Sequence, residues 1–166
     1  MPALEWSEAL AMGLPQMDTT HLEFVALLAV ADGASDDALI PAWQRLVEHT
    51  AEHFAQEDRW MVDTGFAPDN CHTAQHKVVL DILKMGAVKG AQGDLAMVRQ
   101  MARELADWFP QHAQAMDGAL ADHLRRVGYD TVTRTVCAPT ALPQTAIHGC
   151  GSANMCTPAE PQAAAA

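Results

Sequence analysis

Apolar positions recur at helical spacing from about residue 18 to residue 127, and no stretch alternates as a half-buried strand would. Four segments emerge. The first runs from near Asp18 or Thr20 to Ala31, with "THLE" (Thr20 to Glu23) in the form of a capping box and "ADGAS" as its stop. The second spans about Ser35 to Thr64; Pro41 lies a little deep for a first-turn proline, and Gly65 fits the C-terminal stop. The third follows Pro68, with Asp69 or Asn70 as cap, and reaches about Val88 before the turn "KGAQGD". The fourth runs from about Asp94 to Val127 and stops at Gly128. Pro110 within it removes one hydrogen bond and crowds the preceding turn, so a kink is expected.

Short connections between helices of this length favour antiparallel neighbours. The expected fold is therefore all-α, an up-down-up-down antiparallel four-helix bundle over residues 1–130. Residues 1–17, with Trp6, Leu14 and Pro15, read as an extended N-terminal arm lying on the bundle. Residues 131–166 carry only Arg134 and Glu160 as charges, several prolines and a closing alanine run. They read as a C-terminal tail, disordered or loosely packed.

Composition changes this picture in three ways. At 166 residues the chain suits one domain, and its longest apolar run, Phe24 to Ala31, is far too short for a membrane span. The N-terminus has acidic residues and no basic region of a secretory signal, so a cytoplasmic protein is expected. A formal net charge of −11 argues against nucleic acid or an anionic membrane as partner. The oligomeric state is left open; a monomer suffices for this fold. Cys71, Cys137, Cys150 and Cys156 form no CxxC pair and are expected as free thiols. The irregular spacing of Cys137, His148, Cys150 and Cys156 fits tail residues better than a soft-metal or redox appendage.

The eight histidines carry the chemistry. "HTAEHFAQED", His49 to Asp58, puts His53 and Glu57 one turn apart, with His49 a turn earlier. The third segment offers His72-x3-His76, the fourth His112-x4-Asp117, and the first His21. Each helix thus supplies a ligand-type side chain, which is how bundles build metal sites. Taken singly, each histidine reads as structural or surface. Seven polar side chains in one core would be badly destabilising without a metal or a closed hydrogen-bond network. Imidazole suits zinc, copper and iron alike, so spacing does not choose the metal. An i, i+5 pair such as His112 and Asp117 is offset by roughly 140° on a regular helix. It converges only with long reach, or if the helix is widened or bent, and Pro110 is a candidate for the bend. Trp108, Phe54, Phe24 and Met116 are expected as packing around the site, Cys71 as a cap thiol, and His123 at the surface.

These residues resemble the hemerythrin family, specifically the bacterial hemerythrins, over about residues 4 to 128. "LEWSEALAMGLPQMDTTHLEF" is similar to that family's opening arm and first helix. "HTAEHFAQED", "HTAQH" and "LADWFPQHAQAMD" match its successive patterns H-F-x-x-E, H-x-x-x-H and W-x-x-x-H-x-x-x-x-D. The resemblance implies a non-heme di-iron site. His72, His76 and His112 would hold one iron and His21 and His53 the other, with Glu57, Asp117 and an oxo or hydroxo group bridging them. Dioxygen would bind at an open position on the two-histidine iron. Departures are Thr20 in place of the usual glutamine, His49 where tyrosine is frequent, Pro110, and the tail.

The expected function is reversible dioxygen binding for storage, delivery or sensing, without enzymatic turnover; nitric oxide is a second candidate ligand. Imidazoles outnumber carboxylates here, unlike the carboxylate-rich di-iron bundles of oxidases and iron stores. His49, a turn from His53, reads either as a hydrogen-bond partner behind the ligands or neighbour of the open position, or equally as a partly exposed, inert histidine. The alternative function is a di-iron redox enzyme, a peroxidase, nitric-oxide reductase or ferroxidase, with His49 as a proton donor.

Overall fold

The computed structural model describes residues 3–149. Its helices are α1 (Pro15–Asp32), α2 (Asp36–Asp63), α3 (Cys71–Ala91), α4 (Leu95–His112) and α5 (Gly118–Val127), the last two joined by a widened π turn, Ala113–Asp117. Successive helices pack on one another and α1 closes against α4, which makes the expected four-helix bundle, its fourth rod built from α4, the π turn and α5. Among the described residues no helix is long and apolar enough to cross a membrane.

Side-chain caps set the starts of α3 and α4. Asn70 accepts hydrogen bonds from the backbone N–H groups of His72 and Thr73, and Asp94 from that of Met97. The start of α1 differs from the capping-box expectation. The helix opens at Pro15, whose fixed φ suits a first turn, and Thr20 lies inside it with its hydroxyl bonded to the Gln16 carbonyl. Asp18 instead turns back to accept from the N–H groups of Met12 and Gly13. The arm is not wholly extended either, since Glu8–Leu10 form a short 3-10 turn and Leu10 is buried.

Two apolar clusters fill the bundle. One gathers Leu10, Phe24, Leu28, Trp43, Leu46, Leu83, Val98 and Phe109. The other gathers Met17, Trp60, Met61, Phe66, Leu120, Leu124 and Val127. Along α1 and α2 the ligand-type residues fall between these two sets, whereas on α3 they lie at its N-terminal end, ahead of Leu83.

The tail departs from expectation as far as it is described. After Gly128, left-handed at φ 61°, residues Tyr129–Asp130 and Thr135–Val136 pair as a small antiparallel hairpin. Asp63, the last residue of α2, accepts from the Tyr129 hydroxyl and from two nitrogens of the Arg134 guanidinium. The chain then crosses the end of α2, where Ala67 N–H donates to the Ile147 carbonyl and Cys71 N–H to that of His148. Gly65 is needed at this crossing: its φ is +98°, and a Cβ there would lie 2.5 Å from the Pro143 ring. Of the expected free thiols, Cys137 is free and exposed, whereas Cys71 is disulfide-bonded. The remaining two cysteines lie outside the described residues, as does the rest of the tail.

His123, expected at the surface, is only 1 % exposed. Its Nε2 lies 2.9 Å from the Thr64 carbonyl, its Nδ1 2.6 Å from the Arg126 guanidinium, and Phe66 meets the ring edge-on. It ties α5 to the end of α2. Burial holds its pKa below the ordinary value, so the folded chain keeps it neutral. The unfolded chain takes up that proton more readily, so the contribution is complete above about pH 6.5 and shrinks as the pH falls below it. His123→Gln is expected to lower stability by about 1–3 kcal/mol at pH 7.5 and by less at pH 5.5, read from the difference between wild-type and variant denaturant midpoints at each pH.

Candidate metal centre

Seven side chains meet in the interior of the bundle, all at most 3 % exposed. His21 comes from α1, His53 and Glu57 from α2, His72 and His76 from α3, and His112 and Asp117 from the fourth rod. The spacing on α2 and α3 needs nothing unusual, because a four-residue step returns to the same helix face. On the fourth rod the π turn solves the i, i+5 problem: in that widened turn hydrogen bonds run i to i+5, so Asp117 comes round to the side of His112. Pro110 does not explain the widening. A proline disturbs the turn before it, and the wide turn begins three residues after it.

The ring nitrogens and carboxylates fall into two sets that share Glu57 and Asp117. One is Glu57, His72, His76, His112 and Asp117; the other is His21, His53, Glu57 and Asp117; within each, the ligand atoms lie within 4.8 Å of one another. Each carboxylate divides its oxygens between the sets. Asp117 Oδ1 is 3.1 Å from His72 Nε2 and 3.2 Å from His112 Nε2, while Oδ2 is 3.2 Å from His21 Nε2. Glu57 Oε1 is 3.0 Å from His53 Nε2, and Oε2 is 3.4 Å from His76 Nε2.

Few of these contacts are hydrogen bonds. His21 Nε2, His76 Nε2, Glu57 Oε2 and both Asp117 oxygens are buried with no hydrogen-bond partner. Orphaned atoms of this kind cost about 1–3 kcal/mol each. Their shared direction, toward two common points, is what a cation would satisfy. Burial works against charge on both carboxylates, yet the facing imidazoles keep Glu57 and Asp117 well below the usual carboxylate range. Burial likewise disfavours the charged form of His21, but Asp117 and Glu57 outweigh it and push its pKa up to about 10. His76 goes up to about 9 against the same burial, through Asp58 and Glu57. His72 is lowered by burial. The cluster thus keeps its two negative charges and draws protons or metal to balance them.

Outer contacts fix the rings. His76 Nδ1 donates to Asp58 at 2.8 Å, His112 Nδ1 to Gln75 at 3.0 Å and His21 Nδ1 to the Leu10 carbonyl at 3.1 Å. Asp58, Gln75 and Leu10 were not singled out from sequence; Asp58 follows Glu57 and Gln75 precedes His76, which is the signal they carried. Phe54 stacks on His76 at 4.0 Å, Trp108 on His112 at 4.4 Å, and Phe109 meets His21 edge-on. Phe24 packs on Phe109, so three of the four expected packing residues border these rings.

His49 stands outside the cluster. It is half-buried, and its Nε2 donates to the Thr20 carbonyl at 3.2 Å, joining α2 to α1. Burial lowers its pKa, which keeps it neutral. Beside it a cavity of about 490 Å³ is walled by Thr20, Glu23, His49, Glu52 and Gln56, with His53 in its lining.

A helical bundle with a buried, nitrogen-rich cluster that could hold a cation defines a class, and the comparisons give the family. The profile described as "Hemerythrin HHE cation binding domain" matches residues 12–124, so the chain belongs to the hemerythrin family. It is 36 % identical over 130 residues to a bacteriohemerythrin of Ralstonia nicotianae, covering 78 % of this chain and 95 % of that one. Bacteriohemerythrins of Pseudomonas paraeruginosa and Pseudomonas aeruginosa are 26 % and 23 % identical, each over 75 % of this chain and 84 % of theirs. No solved structure gives a significant match.

Two substitutions separate shared from private ligand positions. Asp117→Ala is expected to weaken metal binding at both sets, whereas His53→Ala leaves the three-histidine set loaded, as metal content per chain after dialysis will show. Asp58→Ala is expected to lower affinity by roughly 10–100-fold through a loosened His76 ring, measured by competition with a chelator.

Proposed function

We propose that the chain is a non-heme di-iron protein that binds dioxygen reversibly, for storage, delivery or sensing. On this reading His72, His76 and His112 would hold one iron and His21 and His53 the other, with Glu57 and Asp117 shared between them alongside an oxo or hydroxo group. The observation that carries this reading is the split of each carboxylate's oxygens between a set with three imidazoles and a set with two. The smaller set offers one ligand fewer, so a metal held there would have a position left for a small molecule. Bound iron supplies the electrons and the open position that dioxygen requires.

The protein residues do the rest. The orphaned carboxylate oxygens balance the cationic charge, and the bridging placement ties both metals to α2 and the fourth rod. Phe24, Phe54, Phe109 and Trp108 wall the rings with apolar surface, which excludes water from the cluster. Dioxygen, or nitric oxide, is the partner this chemistry fits. A cytoplasmic setting belongs to the same reading.

A second reading, a di-iron peroxidase, nitric-oxide reductase or ferroxidase, is favoured by the cavity beside His53, where the His49 imidazole could deliver a proton. Anaerobic loading with ferrous iron followed by air separates the two. Carriage predicts a visible band that appears with oxygen and vanishes when it is removed. Rapid decay with accumulating peroxide or oxidised product supports the enzyme. His49→Leu should alter the decay rate and leave iron content unchanged; an unaltered decay removes His49 from the mechanism.

A further inference from the structure

A histidine that gives Nε2 to a metal is oriented by whatever its Nδ1–H meets. On the three-histidine side, His76 and His112 have side-chain acceptors, Asp58 and Gln75. The two-histidine side is built differently. Among the described residues His53 Nδ1 is buried with no hydrogen-bond partner, so the one such restraint they supply on that side is His21 Nδ1–H to the Leu10 carbonyl. Leu10 belongs to the N-terminal arm, outside the bundle helices.

That arm is seated at several points. Leu10 is 2 % exposed and packs in the cluster that holds Phe24 and Phe109. Asp18 accepts from Met12 N–H at 2.6 Å and from Gly13 N–H at 3.1 Å. The Arg125 guanidinium donates to the Met12 carbonyl, and its other nitrogen pairs with Asp122. Arg125 lies on α5, two turns beyond Asp117. Gly13 has φ +71°, and a Cβ there would come within 3.2 Å of that guanidinium. The seat therefore joins the arm both to α1, which carries His21, and to the rod that carries Asp117.

We propose that the N-terminal arm is a positioning element for the two-histidine metal, acting through the Leu10 carbonyl, and that Asp18 and Arg125 hold it in place. Shifting the arm loosens His21 and leaves the three-histidine metal as it was. The inference rests on the two-iron reading above, and it goes further by making the vacant side responsive to a segment outside the bundle.

The test is iron release from the fully loaded chain to an excess of ferrous chelator, without oxygen. Asp18→Ala and Arg125→Ala remove the seat from two different helices and touch no ligand. Each is expected to speed release of one iron about tenfold or more while the other keeps its wild-type rate. Arg125→Lys should restore the slow phase. Arg134→Ala is the control, because it removes the guanidinium's bonds to Asp63 at the hairpin, far from the arm and from His21. Unchanged release in both arm variants overturns the proposal. So does equal acceleration of both irons, or the same split in Arg134→Ala. A wild-type chain that takes up a single iron overturns the two-iron reading itself, and this proposal with it.

Discussion

Two carboxylates shared between five imidazoles, buried in the interior of the bundle, are the constraint that the rest of the structure serves. Glu57 and Asp117 are fully buried and stay ionised, and several of the atoms around them lack hydrogen-bond partners. Such a layer is costly by itself. An apolar cluster on either side, anchored by Trp43 and Phe24 at one end and by Trp60 and Met61 at the other, holds the helices against that cost. The helices thus keep the cluster assembled, and a bound cation would give its orphaned atoms the partner they lack.

The motif residues were legible in the sequence because helical spacing is short-range and regular. His53 with Glu57 and His72 with His76 share a face by arithmetic alone. The four rods followed from the same periodicity, with Asn70 and Asp94 capping where their residue types predict. His112 and Asp117 were legible only as a difficulty. Residue types do not announce a π turn, and the proline that looked like its source lies a turn too early to cause it.

What could not be read depends on contacts distant in sequence. His123 has polar partners on both sides, but Thr64 is far along the chain and becomes a partner only when α5 packs on the end of α2. The tail lacks the charge and periodicity of a folded segment. It is nonetheless held by Asp63, by the space over Gly65, and by backbone bonds around Ala67 and Cys71. The start of α1 went unread for a related reason: Asp18 and Thr20 look like caps, yet Pro15 opens the helix and Asp18 serves the arm. These misses have one origin, residues whose polar groups are satisfied by partners that local pattern does not reveal.

The outer contacts differ between the two sets, and that asymmetry has functional weight. Side chains of Asp58 and Gln75 fix one set, while a main-chain carbonyl of the arm restrains the other. The set with fewer ligands also adjoins the cavity and His49. Access and looser restraint therefore coincide on the side where a small molecule would bind.

The central claim is that Glu57 and Asp117 tie two irons into one unit. X-ray absorption on the iron-loaded chain measures this directly. A second iron within roughly 4 Å of the first is the result expected of a shared-carboxylate site. An iron with only light-atom neighbours, in a fully loaded sample, would contradict it.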